Sequence, residues 1–168
     1  MKLIILGAGG YGQTVADIAE QSGLYEKILF LDDNSTAENV VGKCNDYKDY
    51  KDFSIYPAFG NNEMRSSWIE KLETEGFSVP TLIHPSAYIS PKSMVEQGCV
   101  ILPHAVINTR CKISKGCIIN CSAIIDHGCI IEEGCHICLG AIIKAENRIA
   151  KNTKIEAGEV IQARTFLV

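Results

Sequence analysis

The sequence predicts an α/β half-domain of Rossmann-like type over residues 1–80, followed by a parallel β-helix of hexapeptide repeats over residues 81–168. Three observations point there. A glycine-rich loop joins an apolar strand to an amphipathic segment near the N-terminus. From Ile83 onward an aliphatic residue returns at every sixth position. Five of the eight cysteines fall in register with that repeat.

Lys2–Leu6 is an apolar run with strand character, and Gly7-Ala8-Gly9-Gly10-Tyr11-Gly12 follows it. Gln13–Gln21 carries Val15, Ile18 and Ala19 on one helical face. A second strand, Lys27–Leu31, runs into Asp32-Asp33. Gly7, Gly9 and Gly12 match G-x-G-x-x-G in the order strand, glycine turn, helix, strand, acid, the context in which that pattern has chemical meaning. Such glycines let backbone N–H groups and a helix N-terminus meet a phosphate. Acids at the next strand end suit ribose hydroxyls. A glycine turn needed only for packing is the plain alternative. Further on, a strand near 55–59 precedes Gly60-Asn61-Asn62. Glu63–Glu75 then reads as a helix with Met64, Trp68 and Leu72 on one face, ended by Gly76. Ser78–Leu82 is expected to be a last strand leading into the repeat. About 80 residues is short for a complete dinucleotide fold and better sized for a mononucleotide.

The aliphatic slot holds Ile83, Ile89, Val95, Ile101 and so on to Ile161, fourteen hexads without a gap. Neither a helix nor a simple strand selects a strict period of six. Four residues after each aliphatic, the first ten hexads carry only Ala, Ser or Cys. Six glycines, from Gly98 to Gly158, share the slot between, where a turn calls for positive φ. A large and a small inward residue per hexad define a triangular coil of three hexads, with ladders at i, i+18 and i+36. The polar Asn147, Thr153 and Glu159 in the small slot of the last hexads read as a polar end guarding an exposed edge.

Composition narrows the function. The chain is 46% hydrophobic with a net charge of −4, which excludes a disordered tail and argues against nucleic acid as a partner. No apolar run is long enough to span a membrane. Met1–Gly12 reads as strand and loop rather than as a leader, so a reducing cytoplasmic setting is expected. The cysteines then need neither disulfides nor zinc. Cys135 and Cys138 have C-x-x-C spacing but no second pair to complete a zinc site, and no metal is expected. Five are read as small packing residues, as alanine is at Ala105 and Ala123. Cys44, Cys121 and Cys138 are left over.

A small glycine-loop α/β domain feeding a hexapeptide β-helix resembles the sugar O- and N-acetyltransferases of the NeuD/PglD type. The resemblance rests on the GAGGYG loop, Leu31-Asp32-Asp33, Gly60-Asn61-Asn62 with Arg65, Leu82-Ile83-His84-Pro85-Ser86-Ala87, and Asp126-His127 with His136. It implies a left-handed coil, a homotrimer, and active sites between neighbouring β-helices. It also implies acetyl-CoA as co-substrate and a sialic acid or nucleotide-linked sugar as acceptor. By this resemblance His127 is the general base, with Asp126 as its carboxylate neighbour. His136, Gly140 and Ala145 meet acetyl-CoA, the N–H near Ala145 stabilising the oxyanion. Gly7, Gly9, Gly10, Tyr11, Gly12, Asp32, Asp33, Gly60 and Asn61 hold the nucleotide sugar. His127 sits outside the two inward slots, so it is expected to project outward, where an imidazole titrating near neutrality suits proton transfer. His84 and His104 read as surface or junction residues.

The chain departs from the family pattern at three points. Gly128 stands where the family has an acid after the base, and Tyr11 stands where it commonly has a histidine. The repeat reaches residue 161, where family members carry further coils that hold coenzyme A, so a shortened donor groove is expected. The alternative function is therefore a trimeric nucleotide-sugar-binding relative with little or no transfer activity. An NAD-dependent oxidoreductase rests on the glycine pattern alone and lacks a catalytic domain.

Overall fold

The computed structural model describes residues 1–165, and the chain divides into two compact units between Pro80 and Thr81. The first unit is built on a three-stranded parallel sheet of order β2-β1-β3, with β1 at Lys2–Leu6, β2 at Lys27–Leu31 and β3 at Ser54–Pro57. Leu3, Ile4, Ile5 and Leu6 are wholly buried because the central strand is covered on both faces. Helix α1 spans Gly10–Gln21 and buries Val15, Ile18 and Ala19. It starts three residues before the expected Gln13, because Gly9 is the extended N-cap and the glycine loop itself forms the first turn.

Helix α2 spans Asn62–Thr74 and ends at Gly76, whose φ of 83° closes the helix in the left-handed region. Its buried face is Arg65, Ile69 and Leu72, while Met64 is 50% exposed. Of the expected face, Leu72 is buried and Trp68 packs against Tyr47 and Phe59, but Met64 gives way to Arg65, which is fully buried. Its guanidinium donates to the Phe59 carbonyl (3.0 Å) and to Asn62 Oδ1 (2.9 Å). With its head satisfied, the aliphatic stem packs as apolar surface. No strand forms over 78–81. The Ser78 carbonyl accepts from Ile55 N–H (2.9 Å), but Pro80 has no N–H with which to continue a ladder. A 3₁₀ helix at Cys44–Asp49, which the sequence did not announce, carries the chain from β2 toward β3. Cys44 is buried at its start and donates to the Leu31 carbonyl (3.5 Å).

The second unit is a parallel β-helix in which every residue pairs with the one 18 positions on: Ile101 with Ile119, Ile119 with Ile137, Ile125 with Ile143. Two-residue strands stack into three sheets of five, five and four strands. The first face begins its strands at Leu82, Val100, Ile118, His136 and Lys154. The second begins at Tyr88, Val106, Ile124, Ile142 and Val160, and the third at Met94, Lys112, Ile130 and Arg148. The second residue of each strand points inward, and Ile101 through Ile149 are wholly buried with the small residues between them. Each such aliphatic contributes about 1.5–3 kcal/mol of burial, so the coil needs no cross-link. All eight cysteines are free thiols.

The small slot does more than fill a corner. Cys99, Cys111, Cys117, Cys129 and Cys135 each donate their S–H to the carbonyl 15 residues on, at 3.1, 3.0, 3.0, 3.2 and 2.9 Å. Ser93 does the same to Asn108 (2.5 Å) and Asn147 to Gln162 (2.7 Å). Where the slot holds Ala87, Ala105, Ala123 or Ala141, the corresponding carbonyl follows the first face. There Leu102, Asn120, Cys138 and Glu156 each accept from the backbone N–H three residues later, at 3.1–3.2 Å. Cysteine thus supplies a side-chain donor to these carbonyls, and alanine stands where the turn closes on itself; at Ala150 both occur, since its carbonyl accepts from Cys135 and from Thr153 N–H (3.2 Å). Asn147 is buried and hydrogen-bonded in this role, so its polarity serves a carbonyl rather than an exposed edge.

Candidate functional site

In the first unit, β1 feeds its helix to one side while β3 lies on the other. The carboxyl ends of β1 and β3 therefore flank a topological switch point, where open parallel sheets bind ligands. The Gly7–Gly12 loop lies at one edge and the 58–61 loop at the other. The two are tied together at Tyr11, whose hydroxyl lies 2.8 Å from that of the buried Tyr56. Tyr56 escaped the sequence reading because a tyrosine inside a strand reads as core.

The expected ligand residues divide by what surrounds them. A Cβ on Gly12 would lie 2.0 Å from the Gly7 carbonyl oxygen, and Gly7 has φ 98° with the Ala58 oxygen 3.3 Å away. Both glycines are demanded by packing. Gly9, Gly10 and Gly60 face open space. Asn61 caps α2 by accepting from Met64 N–H (2.8 Å). Asp32 accepts from the backbone N–H groups of Ala8, Asn34 and Ser35, each at 2.8 Å, and these bonds hold its carboxyl below the usual carboxylate range. It fastens the glycine loop to the end of β2. Asp33 accepts from Cys44 N–H (3.0 Å), and its carbonyl accepts from Lys43.

In the second unit, His127 stands at the corner after the second face. That corner stacks five rungs: Ser90-Pro91-Lys92-Ser93, Asn108-Thr109-Arg110-Cys111, Asp126-His127-Gly128-Cys129, Lys144-Ala145-Glu146-Asn147 and Gln162-Ala163-Arg164-Thr165. Glu146 N–H donates to the His127 carbonyl (3.0 Å), which fixes the third and fourth rungs in register. Ala145 therefore lies directly one layer from His127, a spacing of about 4.8 Å. The imidazole is half-buried, and its Nδ1 is enclosed with no hydrogen-bond partner among the described residues. A buried, unpaired ring nitrogen is uncommon in a purely structural histidine. Asp126 Oδ1 accepts from the His127 backbone N–H (2.7 Å) and from the Asn108 amide (3.2 Å), so it steadies the turn and not the ring.

His136 opens a strand of the first face, with its Nε2 3.0 Å from the Asn120 amide nitrogen. Gly140 is exposed in the turn after it, at φ 63°. His127 and His136 therefore occupy a corner and a face of the coil that point in different directions. His104 is exposed and holds a left-handed turn position (φ 59°), while His84 Nδ1 lies 2.7 Å from the Ser86 hydroxyl. Among the described residues, no group of three or more His, Cys, Asp or Glu is arranged to hold a metal ion, and no helix is long and apolar enough to cross a membrane.

The chain thus has a parallel α/β unit with a switch-point crevice followed by a hexapeptide β-helix, and comparison narrows its class. Residues 2–72 match the PglD N-terminal domain family. The acetyltransferase domain of PglB from Neisseria gonorrhoeae is 33% identical, with 97% of this chain and 83% of that one covered at a TM-score of 0.92. The same domain in complex with acetyl coenzyme A gives 34% identity, coverage of 97% and 82%, and again 0.92. At 24% identity, GDP-perosamine N-acetyl transferase from Caulobacter crescentus, in complex with CoA and GDP-perosamine, shares the fold at a TM-score of 0.84 over 97% and 89%. The chain belongs to the NeuD/PglD sugar acetyltransferase family, and its coil is the left-handed β-helix of that family.

Proposed function

We propose that the protein transfers an acetyl group from acetyl-CoA to a hydroxyl or amine of a nucleotide-linked sugar or sialic acid, with His127 as general base. The observation that carries this reading is the stacked corner. A half-buried imidazole with an unpaired Nδ1 lies one layer from Ala145, whose backbone N–H has no partner among the described residues. As the acceptor oxygen or nitrogen attacks the thioester carbonyl, its proton passes to His127. The Ala145 N–H donates to the developing oxyanion. Collapse breaks the carbon–sulfur bond, and the imidazolium returns its proton to the departing CoA thiolate.

The nucleotide part of the acceptor is assigned to the β1–β3 crevice, with Gly9, Gly10 and Gly60 leaving room for close backbone approach. Gly7, Gly12, Asp32, Asp33 and Asn61 shape that crevice, and Tyr11 closes it against Tyr56. His136 and Gly140 are assigned to acetyl-CoA. Because His127 and His136 lie on different sides of the coil, the reading requires neighbouring copies to share a site, as a homotrimer does. The outer residues of the second face support it: Tyr88, Val106, Ile124, Ile142 and Val160 form an unbroken apolar ladder, with Tyr88 55%, Ile124 40% and Val160 43% exposed. Eight free thiols accord with a reducing cytoplasm.

The test is calorimetry with acetyl-CoA, thermal shift with UDP-, GDP- and CMP-sugars, and mass spectrometry of the product. Acetylated acceptor is expected, and His127→Ala should lower turnover by about 10²–10⁴-fold. Sugar binding without acetyl-CoA binding would leave a nucleotide-sugar-binding protein in place of the transferase.

A further inference from the structure

The turn slot after His127 is a glycine, and the same slot one coil on is Glu146. The two share left-handed geometry, with φ of 70° at Gly128 and 57° at Glu146. A Cβ placed on Gly128 would lie 3.4 Å from Glu146 Cγ, so the glutamate side chain runs back over the bare glycine toward the rung that carries His127. The Glu146 N–H bond to the His127 carbonyl, at 3.0 Å, holds the two rungs together. We propose that Glu146 is the electrostatic partner of His127, supplying from the neighbouring coil the negative charge that residue 128 lacks. This rests on the reading of His127 as the base.

The charges around the carboxylate are few. Arg164 Nε lies 2.7 Å from Glu146 Oε2, and Oε1 has no partner among the described residues. Arg110 occupies the same slot one coil before Gly128. Lys144 is turned to Gln162 (2.6 Å), Asp126 to the His127 backbone, and Cys129 lies beneath with its thiol on the Lys144 carbonyl. The Glu146 carboxyl is held below its ordinary value by Arg164 first, with His127 and Arg110 adding to the effect. The carboxylate and the imidazole therefore sense each other's charge, and an imidazolium formed during transfer gains from that anion. No proton moves to Glu146, because it acts on the imidazolium through space and not through a hydrogen bond.

Glu146→Gln keeps the shape over Gly128 and an acceptor for Arg164 while removing the charge. In ¹H–¹⁵N spectra of the full chain, the His127 ring titration should move to lower pH in this variant. In Arg164→Gln, which leaves Glu146 unneutralised, it should move to higher pH. In turnover, Glu146→Gln should lower kcat by about threefold to tenfold with KM unchanged, and the acid limb of the pH profile should shift to lower pH. Gly128→Asp in the Glu146→Gln background should restore that limb, since aspartate tolerates the left-handed turn. An unmoved ring titration in both single variants overturns the assignment of Glu146, even in a fully active enzyme. A moved titration in a protein that transfers no acetyl group keeps the coupling and removes the general-base reading instead.

Discussion

At Cys117 the side chain is wholly buried, and its Sγ lies 3.0 Å from the Glu132 carbonyl. Removing the thiol leaves that acceptor without its donor, at a cost of about 1–3 kcal/mol. Cys117→Ala should accordingly lower the thermal midpoint more than Cys117→Ser, which keeps an O–H in place; equal losses would mean that the thiol acts by volume alone. The sequence showed that the slot is small but not why it alternates between Cys and Ala, because the reason is a carbonyl 15 residues away. Asp32 is a second case in which a residue expected at a ligand is engaged by the chain. Its carboxyl sits below the ordinary 3.8 because three N–H groups stabilise the anion. That stabilisation is present above pH 3.8 and is lost as pH falls through the lowered folded value. Asp32→Asn should reduce stability at pH 7, and its unfolding curves should converge on those of the parent once pH falls below the lowered folded value.

The hexad is the element from which the second unit is built, and its turn is the same at every corner from 98 to 164. Positive φ occurs at six glycines of this slot and also at His104, Arg110, Ser122, Glu146, Asn152 and Arg164. Glycine marks half of the positions and hides the rest, so the turn was legible in the sequence only where glycine stands. The period of six was fully legible, because isoleucine or valine never leaves its slot. A non-glycine residue in this conformation costs about 1–2 kcal/mol, less the entropy that glycine forfeits. Ser122→Gly should therefore stabilise the protein by about 0.5–1 kcal/mol in urea titration. Gly128→Ala, which adds strain, should destabilise it by about 1 kcal/mol. In the first unit, helix α2 was legible in extent and, except in its first turn, in face. An arginine is scored as polar from sequence, whereas Arg65 has its charge satisfied by the 59–62 loop.

At the scale of the molecule, the proposed chemistry draws on His127 and His136, which lie on different sides of one coil, and so it depends on copies of the chain assembling. A charge in the middle of the apolar ladder tests this. The parent should sediment as three chains of 18.4 kDa each, and Ile124→Arg should sediment as one and lose transfer activity while keeping nucleotide-sugar affinity. A parent that is a single active chain would remove the shared site. The crevice and the corner were both visible in the sequence as motifs. The role of Glu146 was not, because its neighbour in space is 18 positions away in the chain. The same constant stride bears on how the protein reaches its fold. Every contact between coils closes a loop of one length, so each added coil meets the same entropic barrier as the one before. Folding of the second unit should then proceed as a zipper that begins at any well-packed coil and advances in both directions, with a rate set by the first coil rather than by their number.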